Sequence, residues 1–148
     1  MNPKHPKAAE YSRNDFFRGI KSFDQLEEKI SALPDGKAEG DAFEVFAEAY
    51  LATQRRYDTQ DIWPLNAAPP SLLSRVSLRN QDYGIDGLFQ THLGQLNAYQ
   101  VKFRSNRQPL TWRDLSTFIG LADIGYKVIL EVSTFTHTRL CASSHIPF

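Results

Sequence analysis

Apolar residues recur at helical spacing in two stretches of the first third of the chain. The first stretch runs from Phe23 to Leu33, and Ser22 stands directly before it as a capping residue. The second runs from Phe43 to Leu51 and follows the i, i+3, i+4, i+7, i+8 pattern of an amphipathic helix. We therefore predict one helix that begins at Ser22 and is stopped by Pro34-Asp35-Gly36, and another from Asp41 to about Tyr57.

The second half of the chain favours strands, with one further helix between them. Segments 85–92 and 97–104 lie on either side of Leu93-Gly94-Gln95-Leu96, an arrangement typical of a β-hairpin. Residues 112–123 predict a helix, and residues 126–132 predict a strand. A hairpin followed by a helical crossover fits a mixed β-sheet with helices packed on it, so the predicted fold class is α/β.

The remaining segments carry weaker signals. Residues 58–74 contain three prolines and predict an irregular connection, and residues 75–78 predict a short strand. Residues 1–21 are polar and of mixed charge, so we expect a loosely held arm. This divides the chain into an N-terminal arm and helix over 1–36 and a single compact unit over 37–148.

Composition restricts the class of protein. The chain has 148 residues, 41% of them hydrophobic, which is enough for one domain with a real core. Its formal net charge of +0 argues against a strongly basic tail. Cys141 is the only cysteine, so an intrachain disulfide and a multi-cysteine zinc cluster are excluded, and we expect a cytoplasmic protein. The four histidines show no metal-binding spacing, and no apolar run approaches the roughly 18 residues of a membrane span.

Three short segments hold the residues of chemical interest. They are Gly40-Asp41-Ala42-Phe43-Glu44, Asp82-Tyr83-Gly84-Ile85-Asp86-Gly87 and Gln100-Val101-Lys102-Phe103-Arg104. An acidic residue on a helix, followed by Gly-Ile-Asp-Gly and then Gln-Xaa-Lys, resembles the Mrr-like branch of the PD-(D/E)XK restriction-endonuclease superfamily. The resemblance extends from about Lys37 to Val132, and it is closest to the nuclease domain found N-terminal to restriction-type DNA helicases.

The resemblance implies a restriction-endonuclease-like mixed sheet with an αβββαβ core. It also implies a metal-dependent endonuclease that hydrolyses DNA phosphodiester bonds in restriction or defence against foreign DNA. The implied cofactor is Mg2+, with Mn2+ as a substitute, because a hard cation takes oxygen ligands and activates water.

The same resemblance assigns roles to individual residues. Asp86 would be the principal metal ligand, joined by Glu44, the amide oxygen of Gln100 and the backbone carbonyl of Val101. Lys102 would orient the attacking water or stabilise the charge that develops on the phosphate. Gln100 stands where the wider superfamily has Asp or Glu, and the missing negative charge favours one bound ion over two.

Basic residues follow the second hairpin strand. Arg104, Arg107 and Arg113 would contact DNA phosphates in a salt-sensitive, sequence-independent way, although a solvated basic surface accounts for them equally well. The implied partners are DNA, a helicase or another module of a restriction system, and a second copy of the chain where both strands are cut. No membrane partner is expected.

The residue pattern by itself leaves the hairpin register open. A two-residue loop would place Asp86 on the face opposite to Gln100 and Lys102, whereas an odd loop or a bulge would place all three on one face. The odd register also gathers the apolar side chains on the other face. These are Ile85, Phe89, Tyr99, Val101 and Phe103. The hydrophobic pattern and the proposed chemistry thus require the same register.

Each motif also has an ordinary structural interpretation. Glu44 has the spacing of a capping-box carboxylate after Asp41, and Gln100 and Lys102 fit the solvated face of a strand. The glycines beside Asp86 would permit a bend. We favour the catalytic interpretation because it accounts for all three segments together. Two functional alternatives stay open: a non-catalytic DNA-binding domain of the same fold, and a protein-interaction module.

Overall fold

A computed structural model describes residues 3–76, 84–104, 111–113 and 116, and the backbone of residues 127–131. The helices are α1 (Ala8–Arg13), α2 (Phe23–Ser31), α3 (Gly36–Thr53) and α4 (Pro70–Arg75), with 3-10 turns at Arg55–Tyr57 and Leu65–Ala67. The strands are β1 (Thr59–Pro64), β2 (Gly87–Thr91), β3 (Leu96–Lys102) and β4 (Lys127–Glu131). The protein is therefore mixed α/β, as the sequence predicts.

The four strands form one mixed sheet in the order β1-β2-β3-β4. Strand β2 runs antiparallel to both β1 and β3, and β4 runs parallel to β3. A parallel pair needs a crossover connection, which is usually helical. Trp112, Arg113 and Ser116, in the segment between β3 and β4, are helical, in agreement with the predicted third helix at these positions.

Helix α3 begins earlier than its apolar stripe predicts. Asp35 is the capping residue, and its side chain accepts a hydrogen bond from the Ala38 N–H at 2.8 Å. None of residues 36–40 is buried, so the apolar stripe does not extend to this first part of the helix. The predicted start at Asp41 is wrong, and Glu44 lies well inside the helix, where it has no capping role.

The segment predicted as an irregular connection contains β1 and α4. Pro64 is tolerated because it is the last residue of a strand at the sheet edge, where a missing N–H costs little. Pro70 is the first residue of α4, the helical position that proline favours. The short strand predicted over 75–78 is wrong at its start, because Arg75 ends α4, and residues 77–78 lie outside the described residues.

The two faces of the sheet carry separate hydrophobic clusters. On one face α3 packs against the strands, and its Phe43 and Phe46 share a cluster with Tyr99. Tyr11 and Phe17 belong to the same cluster, so the N-terminal segment is anchored in the core and is not the loosely held arm that its polarity predicts. The second cluster lies around α4. Its buried members are Trp63, Ala68, Leu72, Val76, Ile85, Leu88, Leu96 and Ala98.

The boundary predicted between residues 36 and 37 stays a prediction. Within the described ranges, no helix has the length and apolar character that a membrane span requires.

Candidate functional site

The hairpin of β2 and β3 has the odd register. Gln90 is paired with Leu96, and five residues, 91–95, separate the two. This register ends at the pair of Gly87 and Tyr99, and the preceding Asp86 N–H donates to the Tyr99 carbonyl instead of continuing the register to Gln100. The odd register that the hydrophobic pattern predicts is therefore confirmed for β2 and β3, whereas the common face predicted for Asp86, Gln100 and Lys102 stays a prediction.

Most of the predicted sorting of apolar side chains is also confirmed. Phe89, Tyr99 and Val101 share the cluster that packs against α3, and Phe103 borders it. Ile85 is the exception, because it packs in the cluster on the other face. The strict alternation fails there because Ile85 precedes the first residue of β2, where the chain has not yet entered the regular strand.

Asp86 lies where β2 separates from β3. In the continued register Ile85 would oppose Val101, but the Val101 N–H instead donates to Oδ2 of Asp86 at 2.5 Å. The Asp86 backbone is held from both sides, since its N–H donates to the Tyr99 carbonyl and its carbonyl accepts from Leu65. A strand N–H points toward the neighbouring strand, so the carboxylate that accepts it lies in the gap between the two strands.

Gln100 carries the most unusual polar atom in the described part of the chain. Its side chain is buried, with 2% exposed, and its Oε1 has no hydrogen-bond partner among the described residues. The amide nitrogen lies against Gly84, where a Cβ would come within 3.0 Å of it. Leaving a buried carbonyl oxygen without a hydrogen bond costs about 1–3 kcal/mol. The described part of the chain therefore supplies no hydrogen-bond partner for this oxygen.

Val101 and Lys102 complete the strand motif. The Val101 side chain packs in the core, and its backbone carbonyl points toward the same neighbouring strand as its N–H, as strand geometry requires. Lys102 is half-buried and lies two residues beyond Gln100, on the same face of β3. The structure thus brings Asp86, Gln100, Val101 and Lys102 into one region.

Glu44 lies on α3, and its described side-chain partner is a histidine of the N-terminal segment. Nε2 of His5 lies 3.2 Å from Oε2 of Glu44. One turn further along the helix, the buried carboxylate of Glu48 accepts the backbone N–H groups of Lys4 and His5. Burial raises the pKa of Glu48, and the two backbone hydrogen bonds offset part of that rise.

The hydroxyl of Tyr99 interacts electrostatically with carboxylates on α3 and with Asp86, just before β2. Burial is the main cause that raises the pKa of its hydroxyl well above the ordinary value. The carboxylates of Glu48, Asp86 and Glu44 raise it further, in that order of size. Acidic groups from α3 and from the start of β2 therefore lie around one buried tyrosine.

Sequence reasoning missed His5 and Glu48 as members of this region. The contacts that bring them in join residues 39 and 43 positions apart, which no local pattern reveals. The only available signal was the i, i+4 spacing of Glu44 and Glu48, which places both on one helix face.

The donor atoms suit a hard cation in type. The Asp86 carboxylate and the orphaned Gln100 amide oxygen are oxygen donors of the kind that Mg2+ accepts. Over the described ranges, however, no group of three or more His, Cys, Asp and Glu side chains is arranged to hold a metal ion. A cation here would depend on amide or backbone oxygens in addition to carboxylates.

Only two of the three arginines of the predicted basic patch lie in the described part of the chain. Arg104 is half-buried just after β3, and Arg113 is exposed beside Trp112, whose exposed fraction is 72%. Arg107 lies outside the described residues. The predicted DNA contacts therefore stay a prediction.

Comparison with protein-family models, with curated proteins and with solved structures gives no match for this chain. The assignment to the Mrr-like branch thus depends on the sequence motifs, and it stays a prediction.

Proposed function

We propose that this chain is a magnesium-dependent endonuclease domain that hydrolyses DNA phosphodiester bonds. The observation that carries the proposal is the buried amide oxygen of Gln100, which has no partner among the described residues and lies next in sequence to Val101, whose N–H donates to Asp86. A carbonyl oxygen buried in this way beside a carboxylate is a suitable ligand pair for a hard cation. Both residues belong to the motif from which the nuclease resemblance was drawn.

The order of the elements supports a restriction-endonuclease-like fold. Helix α3 is followed by β1, by the short helix α4, by β2 and β3, then by helical residues at 112, 113 and 116, and then by β4 parallel to β3. This order is compatible with the αβββαβ core that the resemblance implies if α4 is an insertion between the first two strands.

The chain's own residues have distinct tasks in this proposal. Asp86, Gln100 and Val101 would hold the cation through oxygen atoms, with Glu44 contributing from α3. The bound ion supplies an activated water and offsets the charge of the scissile phosphate. The Val101 N–H restricts the Asp86 carboxylate to one orientation, and the Lys102 ammonium would orient the water and stabilise negative charge on the phosphate.

The biological setting follows from the resemblance alone. We propose restriction or defence against foreign DNA as the role, with a helicase or another restriction module as a partner. Cutting both strands of a duplex would require two active sites, so a homodimer is the assembly to test.

Asp86→Asn is the decisive variant, because the amide oxygen still accepts the Val101 N–H while the charge is lost. We expect purified wild type to nick plasmid DNA with added Mg2+ and the variant to lose this activity with its melting temperature nearly unchanged. Lys102→Ala should lose cleavage and keep the magnesium response. Asp58→Asn, at an exposed position with a left-handed backbone, is the matched control and should cleave normally. Full activity of Asp86→Asn would overturn the proposal.

A DNA-binding domain without catalysis is the second candidate. One observation favours it: in the described ranges, no three acidic, histidine or cysteine side chains are placed together to hold a metal. Fluorescence anisotropy with labelled duplex DNA separates it from the first. Binding without cleavage, and without any calorimetric magnesium signal, would support the second candidate, whereas no binding at low salt would favour a protein-interaction module.

A further inference from the structure

The tautomer of His5 is determined by its two ring contacts. Nδ1 accepts the backbone N–H of Lys7 at 3.2 Å, so this nitrogen carries no proton. In the neutral ring the proton is then on Nε2, which donates to Oε2 of Glu44 at 3.2 Å. The ring is largely buried, since only 9% of its side chain is exposed. His5 therefore presents one directed donor to one oxygen of Glu44.

The segment that carries His5 is held on both sides. The backbone N–H groups of Lys4 and His5 donate to the two oxygens of Glu48, at 2.5 and 3.0 Å. The Lys4 ammonium pairs with Asp61 of β1 and lies 4.5 Å from the ring centroid of Trp63. Because α3 and β1 both hold this segment, the imidazole has little freedom to leave Glu44.

We propose that His5 is a positioning residue that orients the Glu44 carboxylate for a divalent cation, an inference that rests on the proposed function. An ionised carboxylate has about four lone-pair sites, so the Nε2–H bond to Oε2 leaves Oε1 able to bind a cation. A donor fixed in this way reduces the rotamers that Glu44 must give up when it becomes a ligand. Such outer partners of metal ligands typically contribute about 10–100-fold in metal affinity or activity.

Three substitutions at His5 separate its contacts. His5→Gln places an amide donor near the position of Nε2 and should still reach Glu44. His5→Asn retains an acceptor near the position of Nδ1 but is too short for Glu44, and His5→Ala removes both contacts. Lys7→Ala is the control, because it removes a positive charge from the same segment and leaves the Lys7 backbone N–H in place.

The main measurement is the Mg2+ concentration that gives half of the maximal rise in melting temperature, followed by the half-saturating concentration for cleavage. We expect His5→Ala and His5→Asn to raise both by about tenfold or more, with His5→Gln and Lys7→Ala close to wild type. Unchanged values in His5→Ala would overturn the inference. Tighter magnesium binding in His5→Ala would also overturn it, because His5 would then block Glu44.

A spectroscopic test avoids any variant at His5. The ring 15N resonances of His5 are compared between wild type and Glu44→Gln, and we expect the Nε2 resonance to move while Nδ1 changes little. An unmoved Nε2 resonance would overturn the inference. The two proposals fail differently: if Asp86→Asn abolishes the magnesium response and His5→Ala does not alter it, only the role of His5 falls. If wild type shows no magnesium response in melting or cleavage, both fall.

Discussion

Gly87→Ala tests the close approach of three strands beside the candidate site. Gly87 is paired with Pro64 of β1 and with Tyr99 of β3. A Cβ at this position would lie 2.3 Å from Cζ and Oη of Tyr99, and 2.4 Å from the backbone carbonyl oxygen of Trp63. The Tyr99 ring is buried, with 2% exposed, and the Trp63 oxygen belongs to a paired strand, so neither neighbour has space to move.

The expected cost follows from these contacts. Inserting a group into a well-packed core typically costs about 1–3 kcal/mol. Because one of the two obstacles is backbone, we expect the upper end of that range, about 3 kcal/mol. For a chain of this size, each kcal/mol lowers the melting temperature by roughly 2–4 °C, which gives a decrease of about 6–12 °C.

Thermal and urea unfolding of wild type and variant provide the assay. Gly40→Ala is the matched control, because a Cβ at Gly40 meets no atom within 4 Å and the residue lies inside α3. That control should gain about 0.5–1 kcal/mol, the usual advantage of alanine over glycine in a helix. A loss below about 1 kcal/mol for Gly87→Ala would refute the close packing of β1, β2 and β3 at this point.

Three further predictions concern the charged groups. Glu44→Gln should leave the free energy of unfolding nearly unchanged and strongly reduce cleavage. Asp35→Ala should instead lower the free energy of unfolding by about 1 kcal/mol, because α3 loses its cap. Equal losses for the two variants in urea unfolding would contradict this. Gln100→Glu should lower the melting temperature without Mg2+, because it would bury an ionised carboxylate at this position, and added Mg2+ should restore it. A variant that melts like wild type in both conditions would place Gln100 outside the site. Burial raises the pKa of Glu48 above its ordinary value of 4.5, so its contribution to stability is fully present below pH 4.5 and is lost as the pH rises through the folded-state pKa. Glu48→Gln should therefore gain stability relative to wild type as the pH rises from 4.5, and a difference that is constant with pH in urea unfolding would contradict this.

Local patterns were sufficient where an element's own residues determine its structure. Helix α2 begins at the predicted Ser22, whose hydroxyl accepts the Gln25 N–H at 3.3 Å. The hairpin and the strand at 127–131 lie where alternation and turn residues placed them. The hairpin register was also predictable, because a shift by one residue would expose Phe89 and bury polar groups, a cost that the sequence alone makes visible.

Local patterns failed where a distant partner decides the structure. The prolines around β1 indicate a loop, but hydrogen bonds to β2 and a place at the sheet edge make this segment a strand. The first turn of α3 has no apolar stripe, so its start depends on the Asp35 cap and was placed too late. Ile85 departs from alternation because the strand pairing ends at Gly87.

The candidate site divides in the same way. The sequence by itself determined which side chains of β2 and β3 share a face, since strand periodicity and the burial of apolar side chains exclude a pairing shifted by one residue. Only the tertiary structure decided that Gln100 is buried with an oxygen that no described residue hydrogen-bonds, and that His5 contacts a carboxylate 39 residues away. Both facts depend on how α3, β1 and the N-terminal segment pack around the hairpin. Such packing arises from contacts between distant residues, which the spacing of residues along the chain does not encode.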